Sequence, residues 1–510
     1  MNAPLRRAGV VILVLFGLLF ANLNWVQAYK ADAYRTSDHN GRVVVAQYDR
    51  PRGVIEVGGI GLAENKLTDD TLKYLRVYPK NEVYAPVVGY RPVSLGAVGI
   101  ENAENDFLSG ESDTLFADRV KDMFTGNNTG GGNVVLTLST KAQEAAWKEL
   151  TNNQRGVDKG AAVAIDPRTG AIQALVSMPS YNPNPLVNHD TKAAAAAYQK
   201  LLKDADQPLL NRATQETLPP GSTFKVIDSA TALSNGYKPE TTIPAGSTYK
   251  EDTEIPAGST YKESGAVIHN AEDEVCPDGT ITLKEALTES CNTGYAKLGV
   301  KLGRETIVNM AKGFGFEDEK LTIGNLKENR GLPVAASRTG AIANQDGSVD
   351  KGALAQSSIG QRDVRMTPVQ GALMAATVAN GGKQMRPYLV QKQLGPDRRT
   401  IYNADPQVLR TPISGSVASS LSDMMVSVVE NGTGKKAKIK GFTVGGKTGT
   451  AQNAVGADPH GWFIGFAYDD KGQPVSAVCV MLENVPGGHA SAEAARIAGL
   501  IMKAAAGGGD

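Results

Sequence analysis

The chain has 510 residues, and its 53 basic side chains balance its 53 acidic ones. This length allows two or three domains, and the neutral balance argues against nucleic acid as a partner, which requires an excess of positive charge. The 3 cysteines and 5 histidines, with no Cys-x-x-Cys or His-Glu-x-x-His pattern, exclude a disulfide scaffold, and we expect neither a metal nor a cofactor.

Residues 1–28 predict a cytoplasmic tip and a transmembrane anchor. Arg6 and Arg7 precede an apolar run that extends, less purely towards its end, from Ala8 to Ala28. About 20 such residues cross a bilayer as a helix, and the arginine pair favours a cytoplasmic N-terminus. We therefore expect a single-pass protein of the cell membrane whose remainder is extracytoplasmic. A signal peptide cut near Ala28 is the alternative, and the length of the segment favours the uncleaved anchor.

Residues 29–130 predict a small α+β module without a catalytic pattern. Val43–Val45 and Arg52–Val57 are strand-like, and the residues from Lys66 to Leu75 predict a short helix. Three consecutive glycines between Asn127 and Asn133 indicate a linker. We therefore place the non-catalytic module at 29–130 and a second domain at 131–510.

The second domain is predicted to begin and end with strands. Gly160–Val176 predicts a hairpin, and Gly446–Ala451, Gly461–Ala467 and Val475–Leu482 predict three late strands. Ser491 is predicted to cap an alanine-rich terminal helix. Because helical patterns lie between the two groups of strands, we expect a mixed α and β domain, with one mainly antiparallel sheet of about five strands between helices.

The pattern Ser-x-x-Lys can pair a nucleophilic hydroxyl with a lysine base. It occurs four times, at Ser222–Lys225, Ser247–Lys250, Ser259–Lys262 and Ser348–Lys351. The second and third lie in a nine-residue stretch, 243–251, that recurs at 255–263 and is followed by no helical pattern. The fourth lies in a predicted turn, so only Ser222 is a convincing candidate.

Ser222 is preceded by Pro-Pro-Gly and followed by apolar residues at helical spacing. The three-residue spacing puts Ser222 and Lys225 on one helix face, near free N–H groups that favour a developing negative charge. Burial would lower the pKa of Lys225, so that its neutral amine could accept the Ser222 proton. A plain helix cap is the alternative role for Ser222.

Two further segments extend this candidate site. Ser290–Asn292 puts a hydroxyl and an amide two positions apart, with a helix cap as the alternative. Lys447–Thr450 reads Lys-Thr-Gly-Thr on a predicted strand, where the glycine lets a substrate backbone approach and the hydroxyls can hold a carboxylate. A phosphate site is the alternative for this segment, but its Gly-x-x-x-x-Gly-Lys-Ser/Thr pattern is absent.

Ser-x-x-Lys, Ser-x-Asn and Lys-Thr-Gly in this order resemble the motifs of penicillin-binding proteins and serine β-lactamases. Flanking segments resemble class B penicillin-binding proteins, the actinobacterial branch in particular; they are Pro219–Lys225, Ile359–Gln361, Thr367–Gln370, Asn380–Gly382, Arg386-Pro387, Gly432–Gly434 and Gly446–Gln452. The likeness runs from the anchor to about residue 500. It implies a penicillin-binding transpeptidase fold and a peptidoglycan D,D-transpeptidase. Its substrates would be stem peptides ending in D-Ala-D-Ala, which β-lactams mimic.

The resemblance also assigns roles to the matching residues. Ser222 becomes the acylated nucleophile and Lys225 its base, with an oxyanion hole at the backbone N–H groups of Ser222 and Thr450. Ser290 relays a proton to the leaving group, and Asn292 lines the cleft with it.

For the late strand, the resemblance implies that Lys447 supports the proton relay. Thr448, Gly449 and Thr450 bind the carboxylate and backbone of the donor peptide. For residues 29–130 it implies a partner, a membrane glycan polymerase of the shape-elongation-division-sporulation type.

Three other functions compete with transpeptidation as explanations of these motifs. A D,D-carboxypeptidase is the enzymatic alternative, and a β-lactam sensor or inert scaffold is the non-enzymatic one. A penicillin-hydrolysing β-lactamase would need Glu-x-x-x-Asn after Ser290–Asn292, and Glu328, the nearest candidate, does not match.

The cysteines offer one candidate disulfide. Cys479 lies in a predicted apolar strand and is expected to be a buried hydrophobic residue. A bridge between Cys276 and Cys291 would stabilise the fold by about 3 kcal/mol and hold the backbone that aims Ser290 and Asn292. It requires Cα atoms within about 7 Å of each other, and two unpaired cysteines are the alternative.

Overall fold

The computed structural model describes residues 3–30, 48–94, 96–125, 130–246, 248–249, 267–270, 276, 279–343, 347–452 and 457–507. The strand predicted at Val43–Val45 lies outside the described residues. So do Ser247, Lys250, Ser259 and Lys262, which belong to two of the four Ser-x-x-Lys matches.

The N-terminal helix α1 (Ala3–Asn24) continues as one wider turn over Trp25–Tyr29. The stretch Arg6–Tyr29 has 24 residues; its apolar 18-residue window has a mean hydropathy of 2.2, and none of that window is buried in the protein. It is therefore long and apolar enough to cross a membrane, in agreement with the predicted anchor.

The remaining elements alternate between short strands and helices. The strands are β1 (Ile55–Val57), β2 (Ile60–Leu67), β3 (Tyr74–Val77), β4 (Asn133–Leu136), β5 (Gly160–Ile165), β6 (Ile172–Met178), β7 (Thr242–Ala245), β8 (Thr248–Tyr249), β9 (Ile268–His269), β10 (Gly279–Thr282), β11 (Thr322–Asn325), β12 (Arg330–Pro333), β13 (Gln384–Met385), β14 (Val390–Leu394), β15 (Thr400–Asn403), β16 (Val408–Arg410), β17 (Thr443–Ala451), β18 (His460–Tyr468) and β19 (Pro474–Leu482). The helices are α2 (Ala85–Val88), α3 (Ile100–Ala103), α4 (Asn105–Leu108), α5 (Phe116–Thr125), α6 (Thr140–Thr151), α7 (Thr191–Leu202), α8 (Lys225–Ser234), α9 (Leu283–Thr288), α10 (Asn292–Leu302), α11 (Arg304–Phe314), α12 (Lys351–Ser357), α13 (Pro368–Ala379), α14 (Gly415–Glu430) and α15 (Ala490–Ala505).

A five-stranded antiparallel sheet in the order β17-β18-β19-β5-β6 forms the centre of the second domain. Side chains alternate between its faces, so Val163 and Cys479 belong to one apolar core while Ala162 and Val480 belong to another. Helix α13 packs on the first face, and α6 and α15 pack on the second. The predicted antiparallel sheet between helices is thereby confirmed.

A six-stranded sheet in the order β15-β14-β4-β1-β2-β3 joins distant parts of the chain. Strands β1 and β4 are parallel, and the other neighbours are antiparallel. This sheet therefore combines strands from before and after the predicted boundary at residue 130. A Cβ atom built on Gly131 would lie 1.8 Å from the carbonyl oxygen of Leu108. The end of the predicted linker is therefore packed against the last residue of α4.

Two local predictions were wrong. Residues Lys66–Leu75 form a hairpin between β2 and β3 instead of a helix, because the Asp70 carboxylate accepts a hydrogen bond from the backbone N–H of Leu72 and stabilises a turn. Ser491 does not cap the last helix, because α15 begins at Ala490 and Ser491 lies within its first turn.

Candidate active site

Ser222 lies in a tight 3-10 turn, Gly221–Phe224, immediately before α8. The turn is wedged between two backbone segments. A Cβ atom on Gly221, whose φ is +54°, would lie 2.5 Å from the carbonyl oxygen of Thr450, and one on Gly360 would lie 2.0 Å from that of Gly221. Only glycine fits at these two positions, so Ser222 is held against strand β17 while its own side chain is half-buried.

Lys225 begins α8 and is fully buried. Its Nζ donates to the carbonyl oxygen of Ser290 at 2.7 Å, to Ser290 Oγ at 3.2 Å and to Asn292 Oδ1 at 2.7 Å. This Nζ atom also lies 5.4 Å from the ring centroid of Tyr295. The structure thus brings the lysine of the first motif into direct contact with both polar residues of the second.

The connection between α9 and α10 aims these acceptors. Ser290 has a φ of +64°, an uncommon value for a residue with a side chain, and this turns its carbonyl towards Lys225. Cys291 is the N-cap of α10 and is joined to Cys276 by a disulfide, with the two Cα atoms 5.7 Å apart. Cys479 is a buried free thiol.

Asn292 is fixed by strand β9 and by the residue that follows it. Its Nδ2 donates to the carbonyl oxygen of His269 at 2.9 Å, and its backbone N–H donates to Asn270 Oδ1 at 2.9 Å. With its amide nitrogen engaged there, Oδ1 faces Lys225. Sequence reasoning missed Asn270, because its contact with Asn292 spans 22 residues.

The third motif lies along β17. Lys447 is fully buried, and its Nζ donates to the carbonyl oxygen of Thr448 at 3.1 Å. The hydroxyls of Thr448 and Thr433 are 2.6 Å apart. A Cβ atom on Gly449 would lie 2.5 Å from the carbonyl oxygen of Pro220, which packs the strand closely against the Ser222 turn.

Thr450 is exposed at the end of this motif, and its Oγ1 donates to Ser491 Oγ at 3.4 Å. The strand therefore presents two threonine hydroxyls, one buried and one exposed, beside the candidate nucleophile. Thr433 lies in Gly432–Gly434, one of the segments that resemble class B penicillin-binding proteins, but the sequence there does not indicate a contact with Thr448.

Burial lowers the pKa values of the two lysines at the site, Lys225 and Lys447. It lowers the pKa of Lys225 well below the usual lysine value, the charge of Lys447 lowers it further, and Asp228 acts in the opposite direction. Burial also lowers the pKa of Lys447 to about 7. Lys225 is therefore suited to be a neutral base at neutral pH.

Asp228 is a second residue that sequence reasoning missed. It follows Lys225 by three positions and is fully buried, and neither carboxylate oxygen has a hydrogen-bond partner within the described part of the chain. Burial raises its pKa well above the usual value. The three-residue spacing that links Ser222 to Lys225 could have pointed to Asp228 as well.

The fourth Ser-x-x-Lys match has a different environment. Asp350 caps α12, Lys351 is the first residue of that helix, and Ser348 precedes the cap. Ser348 therefore does not begin a helix, in agreement with the turn that the sequence predicted there.

Two family models match the chain. The penicillin-binding protein transpeptidase domain matches residues 160–503, and the penicillin-binding protein A dimerisation domain matches residues 52–134. The first match covers more than half of the chain and contains every residue described above at the site.

Individual relatives agree with these matches. The chain is 42% identical over 488 residues to the peptidoglycan D,D-transpeptidase PbpA of Mycolicibacterium smegmatis, covering 95% of this chain and 94% of that protein. It is 39% identical, with the same coverage, to PbpA of Mycobacterium tuberculosis. Among solved structures, penicillin-binding protein A from M. tuberculosis as a ceftriaxone acyl-enzyme complex superposes with a TM-score of 0.80 at 38% identity, covering 90% of this chain and 99% of that one.

Proposed function

The chain belongs to the class B penicillin-binding protein transpeptidases, and from this premise we propose how its own residues carry out the reaction. It is a serine-type peptidoglycan D,D-transpeptidase, which transfers an acyl group between stem peptides and is acylated by β-lactams. The observation that carries the proposal is the contact of buried Lys225 with Ser290 and Asn292, three residues from Ser222.

In the first step, Ser222 Oγ attacks the carbonyl carbon of the penultimate D-Ala, and its proton passes to the neutral amine of Lys225. The backbone N–H groups of Ser222 and Thr450 stabilise the oxyanion, and the close packing of Gly221 on Thr450 supports this pairing. Losing one donor of an oxyanion hole typically costs about 100-fold in rate.

The tetrahedral intermediate then breaks its C–N bond and releases D-Ala. Its amine needs a proton, and Lys225 supplies one through the hydroxyl of Ser290, whose Oγ lies 3.2 Å from Nζ. Asn292 positions Lys225 through Oδ1 and lines the cleft. The product of this step is an ester between Ser222 and the shortened donor peptide.

The donor peptide is held along β17. Thr448 and Thr450 bind its carboxylate and backbone, Gly449 allows close approach, and Lys447 adds positive charge and supports the proton relay. An acceptor amine then attacks the ester carbonyl and gives a proton to Lys225, and the C–O bond to Ser222 breaks as that proton passes to Ser222 Oγ and restores its hydroxyl. If water attacked instead, the product would be that of a D,D-carboxypeptidase.

The test is labelling with a fluorescent penicillin, followed by a transfer assay. We expect Ser222→Ala to abolish labelling, while Ser247→Ala, Ser259→Ala and Ser348→Ala retain it. With a D-Ala-D-Ala peptide and a D-amino acid acceptor, wild type should form mainly the transfer product. Labelling at another serine would overturn the assignment, and mainly hydrolysis would favour the carboxypeptidase.

We also propose that residues 1–28 anchor the chain, that residues 29–130 position the enzyme, and that residues 131–510 catalyse on the extracytoplasmic side. Support comes from the apolar helix and from Arg6 and Arg7 before it. The partner of residues 29–130 would be a membrane glycan polymerase of the shape-elongation-division-sporulation type. Protease added outside intact spheroplasts should remove penicillin labelling. The polymerase should co-purify with the full chain, but not with a variant in which residues 29–130 are replaced by a neutral linker and which still binds penicillin.

A further inference from the structure

Four lysines lie close together in the chain, immediately after a residue of the active site. The sequence that follows Thr433 reads Gly434-Lys-Lys-Ala-Lys-Ile-Lys440, and each of its lysines is exposed. We call these four side chains the lysine ridge; they are Lys435, Lys436, Lys438 and Lys440. The ridge concentrates positive charge in a chain whose 53 basic and 53 acidic side chains balance overall.

Buried residues between the lysines fix the backbone of the ridge. The segment begins as a 3-10 turn, Lys435–Ala437, and both Ala437 and Ile439 are buried in the core on the second face of the five-stranded sheet. A Cβ atom on Gly499 of α15 would lie 2.9 Å from the carbonyl oxygen of Ala437, so the turn packs closely against that helix. The lysines are therefore presented from a packed backbone, whereas longer blocks of like charge are usually disordered.

The protein itself neutralises only part of this charge. Lys438 forms an ion pair with Glu430 at the end of α14. The side chains of the other three lysines form no ion pair or hydrogen bond with a described residue. Glu289 is an exposed acid nearby, because its neighbour Thr288 accepts from the backbone N–H of Thr433 at 3.4 Å. If Glu289 offsets one further lysine, two of the four positive charges still lack a partner.

The ridge begins beside the proposed substrate-binding strand. Thr433 Oγ1 lies 2.6 Å from Thr448 Oγ1 on β17. Lys435 follows Thr433 by two residues, so the two Cα atoms are at most about 7 Å apart. Lys440 lies three residues before Thr443, where β17 begins. The ridge therefore leads from the level of Thr448 back to the start of the same strand.

The substrate of the proposed reaction can supply the missing negative charge. Each stem peptide that ends in D-Ala-D-Ala has a C-terminal carboxylate, and a glycan strand carries many stems. An uncross-linked strand is therefore a polyanion. Only one stem can react at Ser222 at a time, so the carboxylates of its neighbours remain free. Ammonium groups on one surface attract such carboxylates and also speed the first encounter with them.

We propose that the lysine ridge binds the carboxylates of unreacted stems that neighbour the donor stem on the same glycan strand. This inference rests on the proposed function and adds a second contact to it. A strand held at both places binds more tightly than a single stem, because the second contact forms within an existing complex. Transfer removes the terminal D-Ala together with its carboxylate, so the ridge releases a strand as its stems become cross-linked.

The experiment compares two competitors of fluorescent penicillin, with the full chain in neutral detergent. One is a single disaccharide unit with one stem ending in D-Ala-D-Ala, and the other is a soluble uncross-linked strand of such units, with concentrations expressed per stem. The strand advantage is the ratio of the two half-inhibitory concentrations. In wild type we expect the strand to compete at the lower concentration, and the advantage to fall at about 1 M salt, where charges are screened within about 3 Å.

A variant of the ridge tests the contact directly. It combines Lys435→Gln, Lys436→Gln and Lys440→Gln. We expect its strand advantage to be about tenfold smaller than that of wild type, as for the loss of three exposed charge pairs. The control variant removes the same charge from exposed lysines in and directly after α7, by Lys192→Gln, Lys200→Gln and Lys203→Gln, and should keep the advantage. Labelling by penicillin alone shows whether each variant is folded.

The outcomes separate this inference from the function on which it rests. If the single unit does not compete in wild type, the proposed function is wrong and the ridge loses its ligand with it. If the single unit competes but the strand has no advantage, the function stands and the ridge proposal is overturned. The proposal is also overturned if the ridge variant keeps the advantage, or if the control variant loses as much of it.

Discussion

Lys225 and Lys447 are two buried lysines whose charges oppose each other. Burial lowers the pKa of both, and the charge of Lys447 further lowers the pKa of Lys225. Because the proposed base is neutral Lys225, acylation should become faster as pH rises through its pKa. The pH at which the acylation rate rises therefore depends on the repulsion between Lys447 and Lys225.

Replacing Lys447 with methionine should move that limb to higher pH. The substitution Lys447→Met removes the repelling charge, so the pKa of Lys225 rises, and the maximal rate also falls because a substrate contact is lost. The measurement is the second-order rate constant for penicillin acylation between about pH 5.5 and about pH 9. Lys200→Gln changes an exposed lysine and is the matched control. An unmoved limb in Lys447→Met would contradict the coupling.

The Thr433 hydroxyl provides a second prediction at this scale. It lies 2.6 Å from the hydroxyl of Thr448 and, in the proposed mechanism, orients that side chain for the donor carboxylate. We expect Thr433→Val to slow acylation about 2- to 10-fold, which corresponds to one neutral hydrogen bond, and to act mainly on KM. Thr433→Ser keeps the hydroxyl and should behave like wild type. Equal rates for both variants would remove Thr433 from the site.

The residues of this site differ in how far the sequence could predict them. Ser222 was distinguishable from three other Ser-x-x-Lys matches because only its segment shows apolar residues at helical spacing. Asp228 shares that spacing and could have been recognised. Thr433 and Asn270 could not, because their partners Thr448 and Asn292 are brought to them by loops whose path no local pattern encodes.

At the scale of elements, the disulfide between Cys276 and Cys291 secures the start of α10. Cys291 caps this helix and lies between the two residues that contact Lys225. Removing the bridge with Cys276→Ser should lower the free energy of unfolding by about 3 kcal/mol, as expected for closing a loop of this length. Acylation should slow as well, because Ser290 and Asn292 lose a fixed backbone.

Reductant supplies the control for this prediction. Urea unfolding of wild type should shift to a lower midpoint when reductant is added, and unfolding of Cys276→Ser should not shift. Non-reducing peptide mapping should recover the two cysteines as one linked pair. Recovery of both as free thiols would contradict the bridge.

Elements with a clear period were predictable, and elements set by a single side chain were not. The strands β18 and β19 coincide with runs of apolar residues and were placed correctly, whereas β17 begins at Thr443, three residues before the predicted Gly446. A short helix was predicted from Lys66 to Leu75, but the carboxylate of Asp70 accepts a hydrogen bond from the backbone N–H of Leu72 and a hairpin forms. A helix could be distinguished from a turn there only by knowing that Tyr74–Val77 has β2 to pair with.

At the scale of the whole molecule, Glu104 connects distant parts of the chain. It lies between α3 and α4 and contacts strand β14 of the six-stranded sheet. It is 2% exposed and accepts a hydrogen bond from Gln393 of β14 at 2.6 Å. Burial raises its pKa to about 7, above the value of about 4.5 expected for the unfolded chain. The folded state therefore holds this proton more tightly than the unfolded state does.

Because the pKa of Glu104 is higher in the folded state than in the unfolded chain, its contribution to stability decreases as pH rises. The contribution of Glu104 is fully present below about pH 4.5 and is lost as pH rises through about 7, a change of about 3 kcal/mol. We expect Glu104→Gln to be more stable than wild type at about pH 8 and similar to it near pH 4.5. Urea unfolding at the two pH values measures this, with Glu240→Gln, an exposed carboxylate, as control. Equal gains at both pH values would refute the assignment.

The pairing of distant strands was beyond prediction from local pattern. Strand β4 follows the predicted linker, yet it pairs with β1 on one side and with β14, more than 250 residues later, on the other. Alternating apolar residues predict that β4 is a strand, but they do not specify its neighbours. The predicted boundary at residue 130 was based on three glycines, and the sheet crosses it.

The five-stranded sheet also constrains how the protein can be made. Strand β5 pairs with β19, about 300 residues later, so a ribosome completes nearly the whole chain before the two can meet. Until then β5, every residue of which is buried in the finished fold, has one unpaired edge. The order of strands along the chain therefore leaves this edge open to pairing with other chains until synthesis is nearly complete.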